Sequence, residues 1–208
     1  MREFDYDAAY FENMLHMYSG SAGKIAETRW DFVKEAGART ILDFGCGCNF
    51  MTIFAPDGTD VDSYDIGHID DNPYPQTGIR RDHYDLVLFH DVLEHIDWEN
   101  NPDAKIEEIV QKTRWISVTV PMLPDGQPLE EWKHYKPGEH LTYFTGESLD
   151  KFFEERGFVK AKSGYPECPP RIDILSVLYR REDEPLRASQ SSATSTSSIP
   201  ETRKVSEV

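Results

Sequence analysis

Residues 39–49, Arg-Thr-Ile-Leu-Asp-Phe-Gly-Cys-Gly-Cys-Asn, restrict the fold more than any other stretch. Residues 40–44 are a short apolar run bounded by turn residues, the pattern of a buried parallel strand. Gly45 and Gly47 follow at once. Glycine has no Cβ, so the chain can turn sharply there and a ligand can lie against it. A strand feeding a glycine turn and then a helix is the ligand-binding corner of an open α/β sheet. Asp43, just ahead of the glycines, adds a carboxylate to that corner.

The remaining sequence supplies the parts such a sheet needs. Residues 5–36 carry Tyr10, Phe11, Met14, Leu15, Ile25, Trp30, Phe32 and Val33 at roughly helical spacing, and a Ser/Gly stretch at 19–23 divides them. This predicts two helices ahead of the first strand, with Tyr10 and Tyr18 as candidates to cover a ligand. A short helix is expected at 50–55, a second strand at 59–66 and a third at 84–89. Residues 67–83 are too polar and too short for a full further strand and helix, so the middle of the fold is expected to be trimmed. A helix should span 103–113 and a strand 115–120. Thr145 is a plausible cap for a helix that ends at Gly157. Residues 158–163 and 172–179 read as a closing antiparallel pair. From residue 183 a Ser/Thr-rich tract without an apolar face reads as a disordered tail.

Composition narrows the partners. At 208 residues, one domain with a sizeable core is expected. A formal charge of −16 gives a field that repels nucleic acids and anionic membranes on average. Cys46, Cys48 and Cys168 read as small thiols in a reducing compartment. No run approaches the roughly 20 apolar residues that cross a bilayer, and the N-terminus lacks an apolar signal core. A cytoplasmic protein is the expected setting.

Asp43, Gly45 and Gly47 resemble the first motif of the class I S-adenosylmethionine (SAM)-dependent methyltransferases, with Asn49 where a third glycine is usual. Asn tolerates left-handed backbone better than most residues. A dinucleotide-binding corner is the rival, but its Gly-x-Gly-x-x-Gly spacing finds Phe50 in place of the last glycine. The strand at 84–89 running into Val92-Leu-Glu-His95 resembles a later motif of the same family, and His140 through Phe158 resembles its small members. The resemblance implies a Rossmann-like α/β fold: a mostly parallel sheet, helices on both faces and a shortened middle. Its domain would span 37–182, behind N-terminal helices at 1–36 and ahead of the tail at 183–208.

An acid about 20 residues beyond the first motif accepts ribose hydroxyls in nucleoside-binding α/β folds. Asp65 is the choice here and Asp62 the fallback, with Asp70 and Asp71 as candidates on the adenine side. The resemblance implies a cofactor set of Asp43, Gly45, Gly47, Asp65 and His90, the last directly after the strand where family members touch the cofactor.

Asp91, Glu94 and His95 stand at i, i+3 and i+4, one face of a helix. Two carboxylates and an imidazole suit Mg²⁺, Mn²⁺ or Fe²⁺. His140 is the candidate fourth ligand. The arrangement resembles two metal-dependent groups of the family, the small-RNA 3′-terminal 2′-O-methyltransferases and the ubiquinone-pathway O-methyltransferases. The plainer alternative is an acid cluster favoured by a helix dipole. Without a metal, His90, His134 or His140 is the candidate general base.

The expected activity is methyl transfer from SAM to a hydroxyl of a small-molecule acceptor, with or without metal assistance. The rivals are a ribose 2′-O-methyltransferase acting on an RNA end and a catalytically silent SAM-binding partner subunit.

Overall fold

The computed structural model describes residues 8–18, 20–67, 75–167, 171 and 173–183. Asp70, Asp71, Cys168 and the tail from residue 184 lie outside the described residues.

Helices α1 (Ala8–Tyr18) and α2 (Ala22–Val33) precede β1 (Thr40–Phe44). After the glycine corner come α3 (Phe50–Ile53), β2 (Asp60–Tyr64) and β3 (Tyr84–His90). Then follow α4 (Ala104–Gln111), β4 (Thr113–Pro121), α5 (Gly146–Glu154), β5 (Phe158–Gly164) and β6 (Ile174–Arg181). One six-stranded sheet has the order β2-β1-β3-β4-β6-β5. β2, β1, β3 and β4 run parallel, and β6 pairs antiparallel with both β4 and β5. This is the Rossmann-like α/β architecture expected from the motifs.

The continuous apolar run of β3 follows from burial on both faces. Val87 and Phe89 pack with Leu42, Phe44, Ile106, Val110, Leu149 and Phe153, the side of α4 and α5. Leu86 and Leu88 alternate to the other face, against Ala26, Trp30 and Val33 of α2. The strand tips of β1 and β3 are thereby fixed beside each other, with Asp43 paired to Leu88 and Phe44 to Phe89.

The trimmed middle leaves β2 at the sheet edge. Its outer backbone groups find partners in the loop that follows. Gln76 Oε1 accepts from Asp65 N–H at 2.8 Å and Thr77 Oγ1 from Ser63 N–H at 2.9 Å. Gly78 N–H donates to Ser63 O at 2.9 Å. Asp62 is fully buried and receives Arg80, Arg81 and the Tyr84 hydroxyl, the last at 2.6 Å. It closes this edge rather than facing the glycine corner, and so takes no part in the ligand cavity.

Local signals read from the sequence hold where a side chain makes the cap. Thr145 accepts from Ser148 N–H at 3.2 Å, and the Ser148 hydroxyl accepts in return from Thr145 N–H at 2.9 Å. Asp103 caps α4 through Lys105 and Ile106 N–H. The region after β3 differs from expectation. Instead of a helix from His90, it makes one tight 3₁₀ turn, Leu93–His95, entered through Asp91 at φ +59°.

Candidate active site

A cavity of about 660 Å³ opens at the carboxyl ends of β1 and β3. That volume lies within the range of small-molecule sites, about 300–1,000 Å³. Asp43, Gly45, Gly47, Asp65, His90, Asp91, Glu94, His95, His134 and His140 all line it, so one space collects the candidate site residues read from the sequence. Tyr10 lines it too.

The corner is shaped by backbone. Gly45 has φ +76° and Gly47 φ +49°. A Cβ on Gly47 would meet nothing within 4 Å, so this side of the turn offers open room for a ligand. Asn49, where a third glycine is usual, takes φ +65°, the left-handed conformation that Asn tolerates. Asp65 lies just past β2 and fastens the corner. Its Oδ2 accepts from Gly47 N–H at 2.8 Å and its Oδ1 from Gly67 N–H at 2.9 Å. Cys46 and Cys48 are buried thiols, and burial raises both further above their ordinary range.

Asp43 is 3% exposed, and its Oδ2 has no hydrogen-bond partner. Burial pushes its carboxyl up to about 7; Arg29 opposes the rise and Asp65 adds to it. An unfolded aspartate ionises near pH 3.9, to about a unit. Between pH about 4 and 7 the folded protein therefore holds a proton that the unfolded chain has released. The stability contributed by this group falls as pH rises across that window and is level above it. Thermal unfolding followed from pH 4 to 8 should show this fall, and Asp43→Asn should flatten it. An identical pH profile for the variant would assign the slope to another group.

Glu94, His95 and His140 form a close polar cluster. One ligand-capable atom from each lies within 4.8 Å of the other two. The loop bearing His140 is docked on the turn bearing Glu94: Leu141 and Thr142 N–H donate to Glu94 O at 2.7 and 3.0 Å. The Thr142 hydroxyl donates to Ile96 O at 2.5 Å. His95 Nδ1 donates to Glu139 O at 3.0 Å, and His140 Nδ1 to His134 O at 2.9 Å. A carbonyl can only accept, so both rings carry hydrogen on Nδ1 and the lone pair on Nε2 in their neutral form. Burial keeps them neutral: it lowers His95, and it lowers His140 to about 4 with help from His95. Glu94 is 3% exposed with Oε2 unpartnered. Burial, and then the charge of Asp91, holds its carboxyl well above the usual range.

Two neutral imidazoles oriented by carbonyls, beside a buried carboxylate lacking a counter-charge, fit a divalent cation. Asp91 is not part of the cluster. Its left-handed backbone, which costs a non-glycine residue about 1–3 kcal/mol, turns the carboxylate to Arg29 and Arg171. The i, i+3 spacing suggested otherwise only because it presumed a helix.

The remaining histidines divide by partner. His90 Nε2 lies 3.1 Å from Ser117 Oγ, and burial holds its ring well below the usual range. His134 Nε2 lies 2.5 Å from Asp173 Oδ2. Sequence reasoning missed Arg29, Glu167, Arg171 and Asp173. None of them stands in a recognisable motif, and the fold brings them to the cavity or its wall.

A glycine turn at the tip of the first strand, tied to an acid at the tip of its neighbour, defines a nucleoside-binding α/β cleft. The chain belongs to the methyltransferase-domain family, whose model matches residues 21–162, and its fold is that of a solved SAM-dependent methyltransferase. No curated protein matches the sequence. Among solved structures it is similar to the magnesium protoporphyrin IX methyltransferase of Synechocystis PCC 6803 with bound S-adenosylhomocysteine. The TM-score is 0.61 at 16% identity, covering 85% of this chain and 96% of that one. A SAM-dependent methyltransferase from Archaeoglobus fulgidus gives 0.58 at 16% identity, over 83% and 100%. The 1,6-didemethyltoxoflavin-N1-methyltransferase of Burkholderia thailandensis gives 0.53 at 14% identity, over 88% and 93%. No helix among the described residues is long and apolar enough to cross a membrane.

Proposed function

We propose that this protein transfers the methyl group of SAM to a hydroxyl of a small-molecule acceptor, with a divalent cation held by Glu94, His95 and His140. The observation that carries this reading is the cluster of those three side chains in the same cavity as the glycine corner and Asp65. The names of the Synechocystis and Burkholderia proteins refer to small molecules, and the acidic charge of −16 favours such an acceptor over an RNA end.

Bound SAM supplies an electrophilic methyl group on a sulfonium, and the protein supplies position and electrostatics. Asp65 accepts the ribose hydroxyls while keeping the Gly47 amide in place. Gly47 leaves room for the nucleoside against the backbone, and His90, anchored by Ser117, flanks the reacting region. Glu94, His95 and His140 would hold the cation, which would supply electrostatic stabilisation of negative charge on the acceptor. Glu94 would then ionise against a real counter-charge. His134, held by Asp173, stands beside His140 as a proton acceptor.

The test uses Mn²⁺ alone, then turnover. Calorimetry should show one Mn²⁺ bound per chain, with Glu94→Gln and His140→Ala weakening it by about tenfold or more. Conversion of SAM to its demethylated product with a catechol-type acceptor should drop by about 100-fold in EDTA. Turnover that ignores EDTA and both substitutions removes the cation from this reading.

A further inference from the structure

The turn that carries His140 also carries a carboxylate outside the three-residue cluster. Glu139 N–H and His140 N–H both donate to Lys136 O, at 3.0 and 2.9 Å. Gly138 lets the chain close this tightly by taking φ +92°, a region open to glycine. The turn holds Glu139 against the cluster at two points. Its carbonyl accepts from His95 Nδ1 at 3.0 Å. Its side-chain Oε1 lies 4.0 Å from His140 Nε2, the ring atom that keeps a lone pair. Lys136 and Glu139 line the cavity together with Glu94, His95 and His140.

Three residues alone leave a divalent charge half balanced. They offer one carboxylate, Glu94, and two neutral imidazoles. Asp91 does not supply the second, because Arg29 and Arg171 hold it. An unmatched buried charge is costly, so a further carboxylate within reach is what the site requires. Glu139 meets the distance. Donor atoms about 2.1 Å from one ion stand about 3 to 4 Å apart, and the Glu139–His140 separation of 4.0 Å lies at the end of that range. Its present partner is Lys136, whose Nζ donates to Oε1 at 3.0 Å. The two side chains differ in exposure: 47% for Lys136 and 18% for Glu139. An ammonium so open to water gives up an ion pair at small cost, whereas the carboxylate stays on the cavity side. Glu94 Oε2, buried without a partner, independently marks this place as built for a ligand.

We propose that Glu139 is a fourth ligand of the divalent cation and that Lys136 is the counter-ion the cation displaces. Loading exchanges one positive partner for another: the cation takes the Glu139 carboxylate, and Lys136 turns to solvent. Glu94 and Glu139 then balance the two charges of the ion. The assignment rests on the cation reading of Glu94, His95 and His140.

The experiment is Mn²⁺ calorimetry on the full chain, with the electron paramagnetic resonance signal of free Mn²⁺ as a second readout. Glu139→Gln should weaken binding by about tenfold or more. Lys136→Met should strengthen it by about threefold, because Mn²⁺ no longer competes with the ammonium. Placed in the Glu139→Gln background, Lys136→Met should gain less than about 1.5-fold, since the competed group is gone. A pair that only stiffens the turn would weaken binding in both single variants. Unchanged affinity in Glu139→Gln, or no gain in Lys136→Met, would overturn the proposal, and a loss in Glu94→Gln would then leave the three-residue site standing. No Mn²⁺ binding by the unchanged protein would overturn the proposal and the cation reading together. Should Glu139→Gln fail to fold by circular dichroism, Lys136→Met decides, because its side chain is half exposed: tighter Mn²⁺ binding supports the exchange, and equal or weaker binding sinks it.

Discussion

Replacing Gly45 by valine should lower the stability of the fold by about 2–5 kcal/mol and abolish cofactor binding. A Cβ at this position would lie 2.4 Å from Val92 Cγ2, inside any real contact distance. Val92 is itself buried at 8% exposure, so it has little room to yield. The backbone adds a second penalty, because φ is +76° and a β-branched residue resists that region. Overpacking costs about 1–3 kcal/mol and the backbone strain about 1–2 kcal/mol more. Against a domain stability of about 5–15 kcal/mol, the sum is a large share. Gly47→Ala is the control, since its Cβ would enter open space. Strain at φ +49° remains there, but the larger effect should fall on ligand affinity. Urea unfolding and a thermal shift with S-adenosylhomocysteine measure both. Equal stability of the Gly45 variant and the parent would contradict the packing described for the corner.

Asp65→Ala should weaken S-adenosylhomocysteine binding by about 100-fold or more, the scale of losing charge-assisted hydrogen bonds to a buried acceptor. Two losses combine. The ribose hydroxyls lose their acceptor, and Gly47 and Gly67 lose the carboxylate that holds their N–H groups at 2.8 and 2.9 Å. Asp65→Asn separates them, because it keeps one acceptor oxygen and most of the shape. It should recover part of the loop order and little of the affinity. The carboxyl already sits above its ordinary range, chiefly through burial, with the Gly67 and Gly47 amides opposing the rise. Removing its charge should therefore cost the fold little. Calorimetry for affinity and urea unfolding for stability give the two readouts. Full affinity in Asp65→Ala would mean that the sugar is held elsewhere.

The sequence made the fold legible because each strand carried a local signature. The run at 40–44 ends in glycines, and the run at 84–89 is apolar on both faces, so neither required knowledge of its neighbours. The glycine corner was legible for the same reason: Asp43, Gly45, Gly47 and Asp65 lie near the ends of two adjacent strands and line one cavity. Legibility failed where backbone conformation broke the assumed period. Asp91 was assigned to a helical face, but a left-handed residue sits there and only Glu94 and His95 share the turn. It failed again where function is assembled at long range. Arg29 and Glu167 are 138 positions apart, and Asp91 and Arg171 are 80 apart. No spacing rule connects such pairs, whereas His140 was found because aromatic and imidazole residues crowd its loop.

The edge strand β2 bears on how copies of this chain meet in solution. A sheet that stops early normally exposes a ladder on which another chain can add. Here Gln76, Thr77 and Gly78 act as a false strand, two of them with side-chain oxygens in place of peptide groups. Side chains of this kind cover the rim at Ser63 and Asp65 and offer no onward ladder there, so strand addition is disfavoured at this part of the β2 edge.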